Sequence, residues 1–389
     1  MRRVLTLIVM TFIANLAMAL PLVVNCDAHQ SLNRTLSGLS KQVPLTVWVK
    51  GTCAEYVQII GFDALTLKGY GGARLVQPGV DPATGLSVYV LSIEASRSVT
   101  IDGFTIHSGA TAVPVGIGRG SVDIRLRNLV VEGGSWTGVV VYEASQVSLA
   151  QVSTQGSGYA GVAVVDASDV HIEDCLFEPG ADGWHAGIEV GGSSHVTMHH
   201  VIIRNMQVGI DIGSGGNVDI WDYNSYYPLG GPIDVVIENP AGINFDGISI
   251  SDGGSLNLKG TPDAKLRIIN PGQLWGGDSG GVRVSSGGTL NAGVNLEITG
   301  SHGQGVYVTG NSHASLSGSR ITGSAHGGLV VVNLSTAAVQ VGTSATEVSG
   351  NGVDVFCDSR SLVTGGNGIT GATAVQCNNL LPYDSEPTP

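Results

Sequence analysis

The chain has 389 residues and a formal charge of −13, with only 13% charged residues against about 25% in ordinary soluble domains. Glycine fills 58 positions, apolar residues reach 42% and aromatics 5%; glycine is at about twice its usual share. This excludes a disordered chain, which would be charge-rich and poor in aliphatics. It also excludes a nucleic-acid binder, because an acidic chain with no Lys/Arg run lacks the cations that phosphate contacts need.

The first segment reads as an address. Met1-Arg2-Arg3 is a basic start, Val4 to Ala14 an apolar run and Ala17-Met18-Ala19 a small-residue cleavage site, so residues 1–19 are expected to be a signal peptide. The expected location is secreted or periplasmic. No later apolar run reaches 18 residues, so no membrane span is expected. Residues 20–45 read as an N-terminal cap. There Ser31 precedes Leu32, Leu36 and Leu39 at i, i+4, i+7, the pattern of a short capped amphipathic helix.

From residue 46 to 378 an internal repeat dominates. Glycine, apolar, any residue, apolar recurs at Gly138, Gly161, Gly187, Gly209, Gly247, Gly281, Gly305, Gly328 and Gly352, with spacings 23, 26, 22, 38, 34, 24, 23 and 24. Gly116 is read as the start of the series. Between these glycines lie further alternating strands, such as Val147-Ser-Leu149, Val170-His-Ile172 and Val196-Thr-Met198, then Cys175/Phe177 and Val201/Ile203. Three short strands in about 23 residues make one coil of a right-handed parallel β-helix. The fold expected is all-β, a solenoid of about 13 coils and about 60 Å, at about 4.8 Å per coil. Residues 379–389 read as a C-terminal tail.

The cysteines fit this plan. Cys357 and Cys377 fall on equivalent positions one coil apart, within disulfide reach, and Cys26 and Cys53 would tie the cap to the first coil. Cys175 falls on an inward position and is expected to be an inert thiol.

Residues from about 45 to 377 resemble the right-handed parallel β-helix proteins of the pectate-lyase-like superfamily. The coils Gly187-Ile-Glu-Val190 and Gly209-Ile-Asp-Ile212 carry the resemblance, with the opening Gly51-Thr-Cys-Ala-Glu-Tyr-Val57 and Leu65-Thr-Leu67-Lys-Gly69. It implies polysaccharide lyases, glycosidases, uronan epimerases or non-catalytic surface proteins, with polysaccharide lying along one sheet. No catalytic signature of those enzymes carries over. The Asp-Pro-His-Glu motif of the epimerases is absent, and Ser301-His302-Gly303 and Ala325-His326-Gly327 do not match the Gly-His-Gly of polygalacturonases.

A site must therefore be sought among outward residues. In Gly-apolar-x-apolar, x faces out: Val140, Ala163, Glu189, Asp211, Ser249, Arg283, Tyr307, Val330 and Asp354 in succession. Glu189 and Asp211 are expected to be direct neighbours, repelling by about 1–3 kcal/mol, and so to suit an acid/base pair. The same pair suits Ca²⁺, and an outward strand position also takes acids with no function. Arg283 is placed to grip an acidic sugar or neutralise a carboxylate. Trp136, Tyr159 and Trp184 lie just before the glycines and read either as a sugar-stacking ladder or as packing in the turns. Trp275 and Tyr307 extend this substrate-binding set. His185 is a candidate general base or a plain turn residue. His199 and His200 are read as surface or turn residues with no partner at ligand spacing, and the 221–232 insert as a contact loop or a decoration.

Two functions remain: an exported β-helix binding polysaccharide or cell-surface glycan, or serving at the cell envelope; and a polysaccharide-acting enzyme using Glu189, Asp211, Arg283 and His185. No cofactor beyond Ca²⁺ is expected, and the sequence leaves catalysis undecided.

Overall fold

The computed structural model describes residues 22–79, 88–109, 111–134, 136–179, 186–221, 234–238, 246–259, 265–271, 279–292, 296–339 and 344–382. The expected signal peptide, most of the 221–232 insert and most of the expected C-terminal tail lie outside them. Among the described residues the strands stack in parallel into two sheets, one of 13 strands and one of 24. The 13-stranded sheet takes one strand from each coil, Gly-apolar-x-apolar in the repeat, which matches the expected coil number. The 24-stranded sheet takes the other two, because strands such as Gln146–Ser157 and Asp169–Pro179 run through their corner unbroken. At that bend Asn128, Gln151, Asp174 and His200 each adopt a left-handed backbone, with φ of 51–57°.

The core is a set of aliphatic columns. Val139, Val162, Ile188, Ile210, Ile248, Val282, Val306, Leu329 and Val355 are all fully buried, one above another. Each such side chain contributes about 1.5–3 kcal/mol when removed from water, and only the neighbouring coils can cover it. The repeat glycine has a related cause. A Cβ on Gly138, Gly161, Gly187, Gly209, Gly247, Gly281 or Gly305 would lie 2.5–2.7 Å from the carbonyl oxygen of the next glycine in the column. No side chain fits between backbones that approach so closely.

The corner leaving the 13-stranded sheet explains much of the remaining glycine. Two consecutive left-handed residues occur there in coil after coil: Glu143/Ala144, Asp166/Ala167, Ser214/Gly215, Asp252/Gly253, Ser286/Gly287 and Asn333/Leu334 among them. A buried serine follows in many coils. The backbone N–H of Ser96, Ser121, Ser145 and Ser168 each donates to the hydroxyl of the serine one coil on, at 3.1–3.3 Å.

The N-terminal cap is smaller than the leucine spacing implied. The helix spans Leu32–Ser37, with the Ser31 hydroxyl accepting from Arg34 N–H and Leu32 and Leu36 buried. Leu39 packs on the core beyond the helix. A strand, Leu22–Asn25, precedes it and pairs with Leu45–Lys50. Disulfides join Cys26 to Cys53 and Cys357 to Cys377, with Cα separations of 5.0 and 4.6 Å. Cys175 is buried and unpaired, its thiol pushed up to about 12 by burial. Among the described residues no helix is long and apolar enough to cross a membrane.

Two register assignments need correction. Gly116 pairs with Val140, so it occupies the outward position and does not start the glycine series. Its glycine has another cause: the Tyr89 ring lies 2.4 Å from where a Cβ would stand. In the last repeat Val330 pairs with Phe356, so Phe356 and not Asp354 is the outward residue. Asp354 instead occupies the glycine position. It is buried and accepts from Thr373 N–H at 2.7 Å and Ala374 N–H at 3.1 Å, which ties down the final coil.

Two substitutions test this account by chemical denaturation. Gly209→Ala is expected to cost about 1–3 kcal/mol, since its Cβ would meet the Gly247 carbonyl at 2.5 Å. Leu334→Gly is expected to stabilise by about 0.5–1 kcal/mol, because Leu334 is exposed with φ of 65°. Unfolding midpoints that do not move in these directions would remove the corresponding argument.

Candidate functional site

The outward column of the 13-stranded sheet is continuous. Ala163 pairs with Glu189, Glu189 with Asp211, Asp211 with Ser249, Ser249 with Arg283 and Arg283 with Tyr307. The two acids are thus adjacent rungs, and Arg283 stands two coils beyond Asp211. The outer surface is not uniformly wet. Val140, Ala163 and Val330 are buried although they point away from the core, so the expectation that every x residue meets solvent fails at both ends of the column. Ala163 stands beside the longer Glu189, and Val330 between Tyr307 and Phe356, so taller neighbours in the column close over these two.

An aromatic pair borders the acids. Trp136 and Tyr159 lie in the row before the glycines, linked by the bond from Ala160 N–H to the Trp136 carbonyl. Their rings stack with centroids 5.5 Å apart and planes 20° apart, and both remain exposed, at 49% and 37%. The Tyr159 hydroxyl donates to Glu189 Oε1 at 3.3 Å. Aromatic faces, a carboxyl pair and a cation therefore run along one strip. Trp184, His185 and Trp275 lie outside the described residues. Tyr307 lies at the far end, in an open depression of about 380 Å³ with Gln304, His326, Val330 and Phe356.

Electrostatics shift the two acids in the same direction. Burial, and after it the Asp211 carboxylate, hold Glu189 above the usual carboxylate range, while the Tyr159 bond acts the other way. Burial also raises Asp211; a hydrogen bond from Ser249 opposes this, and Asp252 adds to it. Both groups thus retain protons more readily than free carboxyls. The Arg283 Nε is buried, with no hydrogen-bond partner among the described residues.

The histidines correct a second expectation. His199 is only 6% exposed, and its Nε2 lies 3.3 Å from Glu173 Oε1; His200 Nδ1 lies 3.2 Å from Asp174 Oδ1. On the same sheet, His195 bridges Asp169 and Asp219, at 3.2 and 3.4 Å. These partners stand 24 or 26 residues apart. The signal was available in the repeat, because aligning Val170-His-Ile172 with Val196-Thr-Met198 also puts Glu173 beside His199.

The raised carboxyls carry a sign. A carboxyl with a higher pKa folded than unfolded favours folding below its unfolded pKa, and that contribution is lost as pH rises through the folded pKa. Glu189→Gln is therefore expected to melt higher than the parent at pH 8, with the gain vanishing near pH 3.5, where the parent carboxyl is itself protonated. A parent protein that melts higher at pH 8 would contradict the raised pKa.

Residues 84–225 match the family described as a right-handed beta helix region. No curated protein matches the sequence. Among solved structures, the catalytic domain of a GH87 alpha-1,3-glucanase in complex with nigerose is similar over 94% of this chain and 68% of that one, at 13% identity and a TM-score of 0.60. Two variants of that domain, also with nigerose, match over the same shares at 12% and 14% identity, with TM-scores of 0.59 and 0.56. At such identities the likeness speaks to architecture. Parallel stacking, coil count and the family match over residues 84–225 agree: the chain has a right-handed parallel β-helix fold.

Proposed function

We propose that the protein is an exported β-helix that binds polysaccharide along the outer strip of its 13-stranded sheet. One observation carries this reading: the stacked, exposed Trp136–Tyr159 pair that leads through a hydrogen bond into Glu189 and Asp211. Sugar C–H faces stack on such rings, and the carboxyls and Arg283 supply the polar contacts that orient a bound ligand. The α-1,3-glucanase with the same fold carries nigerose, which supports a glycan as the ligand class. The basic, then apolar start of residues 1–19 supports export. So do the two disulfides, which suit an oxidising compartment.

A second reading rests on the register pairing of Glu189 with Asp211 and their raised pKa values. A carboxyl pair of this kind suits general acid/base chemistry on a glycosidic bond or a uronate. Ca²⁺ held by the same pair would suit an acidic polysaccharide.

Both readings are tested by measuring retention and products on α-1,3-glucan, alginate, pectate and neutral glucans, with and without Ca²⁺. Binding without new reducing ends or unsaturated products is expected. Trp136→Ala and Tyr159→Ala are expected to weaken it about threefold to tenfold each. Products that disappear in Glu189→Gln or Asp211→Asn would establish the enzyme reading. No binding to any polysaccharide, or binding indifferent to both aromatic substitutions, would overturn the proposal.

A further inference from the structure

We infer that the 24-stranded sheet carries a binding site for a late first-row divalent metal ion, built by His171, Glu173 and His199. The site is independent of the carbohydrate strip, which belongs to the other sheet. His171 and Glu173 stand two apart on Asp169–Pro179, so both point outward. On the next coil Thr197 pairs with His171 and His199 with Glu173.

One ligand atom from each of the three side chains lies within 4.8 Å of the other two. Glu173 stands between the imidazoles, with Oε1 at 3.3 Å from His199 Nε2 and Oε2 at 4.0 Å from His171 Nε2. Donors around a tetrahedral zinc ion with bonds near 2.0–2.1 Å are spaced by about 3.3 Å, so one edge is already at ligand spacing and the others need only small rotamer adjustments. The His171 Nδ1 lies 2.9 Å from the Thr197 hydroxyl. That bond fixes the ring and leaves Nε2 facing the cluster, the arrangement of an outer partner to a ligating histidine.

Two imidazoles and one carboxylate choose among metals. Nitrogen donors suit zinc, nickel, cobalt and copper, whereas Ca²⁺ and Mg²⁺ require oxygen sets. Burial is graded: the His199 side chain is 8% exposed, His171 39% and Glu173 44%. A metal held there would rest against the sheet at His199 and keep an outward coordination position for water or a small ligand. A surface groove of about 290 Å³, lined by Asp169, His171, His195 and Thr197, opens beside it.

The test is calorimetric titration of the EDTA-stripped, purified chain with Zn²⁺ alone and, separately, Ca²⁺ alone. One Zn²⁺ per chain is expected, with a raised melting temperature. The surface variants His171→Ala and Glu173→Gln are each expected to weaken Zn²⁺ binding at least about tenfold and to keep the metal-free melting temperature, so the result does not hinge on the buried His199. His313→Ala is the control. It removes a surface imidazole 2.8 Å from a threonine hydroxyl on the neighbouring coil, outside the cluster, and is expected to leave Zn²⁺ binding unchanged. Absence of a one-to-one Zn²⁺ event, or an event that survives both surface variants, would overturn the assignment.

Discussion

Close approach of successive backbones is the constraint on which the protein rests. The apolar face of a coil has no cover of its own, and only a neighbour at strand spacing supplies it. The glycine column shows how tight that spacing is: a single methyl at Gly187 or Gly209 would strike the carbonyl of the next coil. The sheet hydrogen bonds, the aliphatic columns and the serine ladder all need the same separation. The fold is therefore cooperative along its length, and the disulfides sit near its two ends, where a coil has a neighbour on one side only.

The same stacking makes the surface chemistry. Residues two dozen positions apart become neighbours, so a carboxyl pair, an aromatic pair and a histidine cluster arise from repetition along the chain. Glu189 and Asp211 hold protons tightly because each is partly buried among its neighbours in the column, with a further acid, Asp211 or Asp252, close by. His199 is buried for a related reason, with Glu173 and His171 of the adjoining coil against it.

The repeat made the fold, the coil number, both disulfides and the Glu189–Asp211 pairing legible, because each follows from counting along one period. Counting failed where the motif drifted. Gly116 and Gly352 have the spacing of the series, but both fall two residues off the strand register, and only the pairings of Val140 and Phe356 reveal it. The buried outward residues Val140 and Ala163 were illegible, since strand alternation says where a side chain points and not what leans over it. The His171–Glu173–His199 cluster was legible in principle. Aligning coils one strand further round would have paired it, whereas ligand spacing along the chain could not.

The corner that leaves the 13-stranded sheet works as a ruler. From Val141 to Gln146, Val164 to Asp169, Val190 to His195, Ile212 to Asn217, Ile250 to Ser255 and Val284 to Thr289 the interval is always five positions. With that elbow held to a fixed length by its paired left-handed residues, extra sequence is displaced to the other two corners, as between Trp221 and Val235. Lineages of such a rod can thus lengthen overhangs at those two corners while the spacing of the rungs beside the invariant elbow stays unaltered.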